Sequence, residues 1–195
     1  MYRKQMKLQK IFCLIALAAS VVVFIYSLGI MTDLYDCLFT TIFDPTDLSS
    51  TMVEGSQVYY YMQDFNKAFL SRSIIMIILA CLLFIVNTDK RRRYYIANYI
   101  SVGLFAAFTL FLSIWAHFQI EAYKALWLQV DFAALKEFAE MFKSAYTEST
   151  FWFDIHYCVF GFAIIAAGLL VFNVYWKICL MKEEQRLIKE GKEVA

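Results

Sequence analysis

Two histidines and two nearby carboxylates could hold a metal ion at one end of a pair of helices. His117 ends the third of four long apolar segments, and His156 lies early in the fourth. Glu121 follows His117 by one helical turn, and Asp154 precedes His156 by two residues. Imidazole and carboxylate groups bind Zn²⁺ at about 2.0–2.2 Å, and a tetrahedral site needs three or four such ligands. His117, Glu121 and His156 are therefore candidate metal ligands, if the two segments are antiparallel neighbours. The competing interpretation is that these histidines lie at the interface and bond to water or a lipid headgroup.

Known catalytic motifs do not accompany these residues. The sequence has no His-Glu-x-x-His motif, no Cys-x-x-Cys pair, no nucleophile elbow, no phosphate-binding loop and no dinucleotide-binding fingerprint. The acids of the first outer segment do not follow the EF-hand ligand order. We therefore expect a non-enzymatic protein without a cofactor, with a membrane-embedded metal-dependent enzyme as an alternative.

The composition is typical of a small helical membrane protein. Of the 195 residues, 62% are hydrophobic and 18% aromatic, with one proline and six glycines. This is too apolar for a soluble domain, and too poor in Gly and Pro for a disordered chain. A net charge of +1 gives no reason to expect a nucleic-acid partner, so the expected environment is a lipid bilayer.

Basic and acidic segments alternate along the chain. Lys and Arg number four in residues 1–10, four in 87–93 and five in 177–195. Of the 17 acids, 12 lie between Asp33 and Asp64 or between Glu121 and Asp154. Because cytoplasmic loops are enriched in Lys and Arg, this pattern predicts both termini in the cytoplasm, most simply at the plasma membrane.

A run of four cations fixes the predicted topology. Each would cost about 2.5–3.5 kcal/mol at the centre of a membrane helix, so the run must form a polar turn on the cytoplasmic side. The run consists of Lys90, Arg91, Arg92 and Arg93.

The predicted fold is all-α: an antiparallel four-helix transmembrane bundle with a helical extracytoplasmic cap. Apolar runs of about 20 residues are long enough to cross the hydrocarbon core of a bilayer. The predicted parts are a basic leader (1–10), the first span (11–31), an outer segment (32–70), the second span (71–88), the basic turn (89–93), the third span (94–118), an amphipathic outer segment (119–149), the fourth span (150–177) and a charged tail (178–195).

The outer segments contain predicted helix boundaries. Asp44 followed by Pro45 predicts a short helix over 45–54, with Gly55 as its stop. The second membrane helix is predicted to begin outside the membrane, near residue 57. Asp131 is a predicted cap within the second outer segment.

Small residues on the spans predict close helix packing, because they let two backbones approach each other. These residues are Ala16, Ser20, Gly103, Ala107, Gly161 and Gly168.

Aromatic residues of the outer segments predict a partner-binding surface, since Tyr and Trp are enriched at interface cores. Packing within the cap is the equal alternative. The residues concerned are Tyr59, Tyr60, Tyr61, Phe65 and Trp127.

The layout of four spans, two outer segments and cytoplasmic termini is similar to that of claudin-like and tetraspanin-like proteins. The paired outer cysteines and Trp-Leu-Trp-type signature of claudins are absent, as is the Cys-Cys-Gly of tetraspanins. The similarity concerns topology alone and implies no site residue.

The sequence thus favours an accessory or scaffold subunit that binds a larger membrane complex, such as a transporter. A homo-oligomeric transport or channel component is the alternative. The sequence places no charged residue deep in a span, which argues against an autonomous pump, and Lys177 is interpreted as part of an interfacial belt.

Overall fold

The computed structural model describes residues 2–42, 44, 46–88 and 96–191. It is 82% helical, and within these ranges it has no strand beyond an isolated bridge between Ile42 and Thr51. The helices are α1 (Tyr2–Gly29), α2 (Thr32–Leu38), α3 (Val58–Asn87), α4 (Ile96–Trp127), α5 (Phe132–Phe142), α6 (Phe151–Asp154) and α7 (His156–Lys189), with a 3₁₀ turn at Phe39–Thr41.

Four helical segments are long and apolar enough to cross a membrane, which confirms the all-α class and the number of candidate spans. They are Arg3–Thr41, Val58–Asn87, Ile96–Trp127 and Phe151–Lys189. Their direction across a bilayer stays a prediction.

Two sequence predictions fall outside the described residues. One is the basic turn; the other is the role of Pro45 as the first residue of an outer helix. The cations of that turn are Lys90, Arg91, Arg92 and Arg93.

The short outer helix predicted over 45–54 is wrong for the described residues of that range, which form turns. Oδ1 of Asp44 accepts bonds from the backbone N–H of Thr46 at 2.8 Å and from its hydroxyl at 2.7 Å. Oδ1 of Asp47 accepts a bond from the backbone N–H of Ser49 at 3.1 Å. Such local bonds offer the backbone an alternative to helix. They also lower the pKa of the Asp44 carboxyl, because they stabilise its charged form.

The predicted helix over the second outer segment is divided. Helix α4 continues to Trp127, well past the predicted end of the third span at 118, and α5 follows after a short turn. Asp131 caps α5, its carboxylate accepting from the backbone N–H of Ala134 at 3.0 Å. Lys143 then ends α5 in a left-handed conformation with φ 53°.

The chain forms two compact units. Unit 1 comprises residues 1–22, 75–111 and 161–195, and unit 2 comprises residues 23–74 and 112–160. Each unit takes its residues from separate stretches of the chain, so each core is formed by residues far apart in sequence.

Unit 2 is built around an aromatic cluster. Phe69 is fully buried, and its ring lies 5.8 Å from Tyr26, 5.7 Å from Phe65 and 6.0 Å from Phe160. The Tyr26 hydroxyl donates to the backbone carbonyl of Trp152 at 2.8 Å. This cluster therefore connects α1, α3 and the segment that begins α7.

Gly55 joins the two outer segments within unit 2. The N–H of Asp131 donates to the carbonyl of Glu54 at 3.0 Å, and Gly55 itself has φ +84°. A Cβ at this position would lie 2.9 Å from Cα of Val130. Gly55 is thus a point of close backbone contact, and it does not end an outer helix as predicted.

Candidate functional site

The structure brings the three predicted metal ligands together inside unit 2. Helix α4 carries His117 and Glu121 four residues apart, which places them on one face, and His156 begins α7. His117 Nδ1 lies 2.9 Å from His156 Nε2, and His156 Nε2 lies 3.8 Å from Glu121 Oε1. One ligand atom from each residue lies within 4.8 Å of the others.

His156 is held rigidly in this cluster. Its side chain is only 1% exposed, and its ring contacts Tyr157 and Phe160. Its Nδ1 is bonded to the backbone carbonyl of Phe153. Because a carbonyl oxygen only accepts, Nδ1 must carry the hydrogen, and Nε2 of the neutral ring then presents its lone pair to His117.

Glu121 is oriented by a neighbouring hydroxyl. Tyr157 donates to Glu121 Oε1 at 2.9 Å, from the position directly after His156. The carboxylate is about one third exposed, so it reaches both the buried imidazole and the surface.

Asp154 has a different partner from the one its sequence position suggests. Its Oδ1 lies 2.5 Å from Lys124 Nζ, and its Oδ2 accepts from the Thr150 hydroxyl at 2.6 Å. Lys124 lies about one helical turn beyond Glu121 on α4. Its positive charge is largely balanced by the Asp154 carboxylate. Asp154 is therefore a neighbour of the cluster and contacts Lys124 instead of the histidines.

The packing residues predicted from the sequence divide into two groups. Ala16 and Ser20 are fully buried in unit 1. Gly103 and Ala107 on α4, and Gly168 on α7, are exposed. None of the described residues lies within 4 Å of a Cβ built at Gly103 or Gly168, so that part of the chain does not pack against these positions. Gly161 is half-buried, and it too has open space at its Cα.

The aromatic partner surface predicted from the sequence is mostly interior. Tyr59, Phe65 and Trp127 are buried, so in this structure they pack inside unit 2 and offer no surface to a partner. Phe65 lies against Trp115 and Tyr123, with ring centroids 5.3 and 5.5 Å away. For these three residues the structure shows the alternative interpretation, in which the aromatic side chains pack in the interior.

Of the remaining two tyrosines in that predicted surface, Tyr60 is half-buried and Tyr61 is exposed. Among the five aromatic residues of the predicted surface, only Tyr61 has more than half of its surface exposed.

Sequence reasoning missed a polar group in the interior of unit 1. Gln5, Gln9, Asn173 and Lys177 are all buried, and Asn173 donates to the Gln9 amide oxygen. Lys177 is 0% exposed and so does not belong to an interfacial belt. The sequence did contain a signal for this polar group. Gln5 and Gln9 are four residues apart, as are Asn173 and Lys177, so the two members of each pair share a helix face.

No protein-family model, curated protein or solved structure matches the chain.

Proposed function

We propose that this protein is a non-enzymatic accessory subunit that associates with a larger membrane complex, such as a transporter, in the plasma membrane. The supporting observation is the exposed small-residue face of α4, formed by Gly103 and Ala107. Small residues at this spacing allow the backbone of a second membrane helix to approach closely. Glycine also weakens a helix by roughly 1 kcal/mol relative to alanine, and within the described ranges no contact that only a glycine would permit offsets that cost at Gly103.

The proposed orientation has both termini in the cytoplasm. The distribution of Lys and Arg supports it, since the cations are concentrated at the two ends of the chain and in the segment between the second and third spans. The Gly103–Ala107 face then lies in the part of α4 that follows the basic turn, within the hydrocarbon, where a partner's span can reach it.

Filling the small face should release the partner. In the variant G103L/A107L, leucine side chains would hold a second helix away, whereas none of the residues that the structure describes obstructs a side chain at Gly103. We expect a defined second protein to co-purify at fixed stoichiometry with tagged wild type in mild detergent, and its yield to fall at least about tenfold with the variant.

The matched control is Ile78→Phe, which adds bulk at an exposed position of a different helix, α3, and should leave the yield unchanged. A wild-type protein that purifies alone as a monomer would refute the accessory role. The accessory role would also be refuted if the G103L/A107L variant left the yield of the co-purified protein unchanged.

A small transport or channel component is a second candidate, favoured by the polar interior of unit 1. Both amide atoms of Gln5 and Oδ1 of Asn173 are buried without a hydrogen-bond partner among the described residues. Leaving such an atom unsatisfied costs about 1–3 kcal/mol, and buried ionisable groups in spans commonly mark ion pathways. Lys177 is buried and shares a helix face with Asn173, four residues before it, and a cation in such a polar interior suits a small anion.

Replacing the buried cation should abolish anion flux if this second candidate holds. With purified protein in phosphatidylcholine–phosphatidylglycerol vesicles loaded with chloride, wild type should release chloride faster than protein-free vesicles. Lys177→Met should reduce the rate to that of protein-free vesicles, whereas Lys182→Met, at an exposed position of α7, should not. Equal rates for wild-type and empty vesicles would eliminate this function.

A further inference from the structure

We propose that His117, Glu121 and His156 form a binding site for one divalent transition-metal ion of the Zn²⁺ type. The site is independent of the accessory role and of the polar interior of unit 1. Two imidazoles and one carboxylate form a ligand set that zinc uses in proteins, usually with a water or other small ligand in the fourth position. Nitrogen donors also favour a transition-metal ion over Mg²⁺ or Ca²⁺, which prefer oxygen ligands.

The separations of the ligand atoms are close to those a metal requires. Metal–ligand bonds of about 2.0–2.2 Å in a tetrahedron place neighbouring ligand atoms roughly 3.3 Å apart. His117 Nδ1 and His156 Nε2, at 2.9 Å, must separate by a few tenths of an ångström, and Glu121 Oε1, at 3.8 Å from His156 Nε2, must approach by a similar amount. The ligand atoms of His117 and Glu121 lie within 4.8 Å of each other and must approach by up to about 1.5 Å. Both side chains are only half-buried, so they can rotate to close this distance.

His156 already has the tautomer that a metal ligand needs. Its Nδ1–H is occupied by the Phe153 carbonyl, which leaves the Nε2 lone pair directed at the site. A ligating histidine that donates its other N–H to a backbone carbonyl is the usual arrangement in metal proteins, because that bond fixes the ring orientation. The metal would take the place of the hydrogen that His117 Nδ1 now donates to His156 Nε2, and the neutral His117 ring would then carry its hydrogen on Nε2, after exchange with solvent.

The surrounding charges permit a cation. Glu121 supplies a negative charge directly at the site and is held by the Tyr157 hydroxyl, an outer partner of the kind that orients metal-bound carboxylates. Lys124, the nearest competing cation on α4, is bonded to Asp154 and so opposes the metal less than a free ammonium would.

Binding should be measured on purified full-length protein carrying a tag without histidine, treated with chelator and then titrated with ZnCl₂. We expect one Zn²⁺ per chain by elemental analysis after gel filtration, and a midpoint of thermal unfolding that rises with Zn²⁺ concentration. Because loss of an outer partner alone typically costs 10–100-fold in affinity, His117→Gln and Glu121→Gln should each weaken binding by more than about 100-fold, and Tyr157→Phe by about tenfold.

Glu137→Gln, which removes an exposed carboxylate on α5 outside the site, is the control and should bind as wild type does. Both ligand variants alter half-buried side chains, so they should fold; their unfolding midpoints without metal test this directly. The proposal is overturned if wild type retains no Zn²⁺, or if folded His117→Gln and Glu121→Gln variants retain wild-type affinity, as they would if the metal bound at cysteines.

Discussion

Phe69→Ala should lower the free energy of unfolding by about 3–5 kcal/mol, the range observed when a buried phenylalanine is truncated to alanine. Phe69 is fully buried in unit 2, where its ring contacts those of Tyr26, Phe65 and Phe160. Truncation removes these ring contacts and leaves a cavity that α1, α3 and α7 cannot all collapse to fill. Aromatic pairs add about 0.5–1.5 kcal/mol each beyond buried area, so three lost pairs place the effect in the upper part of the range.

The control is Phe172→Ala, at a position 60% exposed on α7 of unit 1. It removes the same atoms from a surface in contact with lipid or detergent, so the free energy of unfolding should change by less than about 1 kcal/mol. Both variants would be compared by thermal unfolding in one detergent, followed by circular dichroism at 222 nm. Similar losses from the two would mean that Phe69 is not enclosed in the folded protein.

The sequence predicted the four long apolar helices well because their signal is local and strong. Long uncharged runs form helices in a bilayer whatever surrounds them, since every backbone polar group must be satisfied internally. The Asp131 cap is likewise a local feature, and it is observed. The turns after Asp44 show the limit of local signals. The same residues are compatible with a capped helix, which was predicted, and with a series of side-chain-to-backbone bonds, which is observed.

Features that depend on which helices are neighbours were harder to predict from the sequence. Gly103 and Ala16 look equivalent in sequence, yet one is exposed and the other buried. Lys177 appeared interfacial because it follows Tyr175 and Trp176, although its own face of the helix points inward. Burial of a helix face depends on what packs against it, and one sequence without its tertiary contacts does not contain that information.

Only part of the geometry of the histidine cluster could be inferred from the sequence. The sequence placed His117 and His156 at similar depth on the condition that their helices are neighbours. The 2.9 Å separation and the tautomer fixed by the Phe153 carbonyl come only from the folded arrangement. A ligand set divided between two helices has no sequence spacing of its own, which is why motif searches for metal sites do not detect it.

Gly55→Ala should lower the free energy of unfolding by about 2–4 kcal/mol, from backbone strain together with overpacking. At φ +84° an alanine is strained whatever the surrounding space. Its Cβ would also lie 2.9 Å from Val130 Cα and 3.1 Å from the Gln129 carbonyl oxygen. These are backbone atoms, which cannot rotate away as a side chain could. The outer segments must therefore separate, and the bond from the Asp131 N–H to the Glu54 carbonyl should lengthen or break.

Two measurements distinguish this mechanism from a general loss of stability. Gly168→Ala changes a helical glycine with open space around it and should leave stability unchanged or raise it by about 0.5–1 kcal/mol, because alanine favours helix. Amide hydrogen exchange should accelerate in Gly55→Ala at Asp131, whose N–H meets the other outer segment, more than at Leu135, whose N–H bonds within α5 to the Asp131 carbonyl. A Gly55→Ala protein with wild-type stability and unchanged exchange at Asp131 would show that the two outer segments do not meet at this glycine.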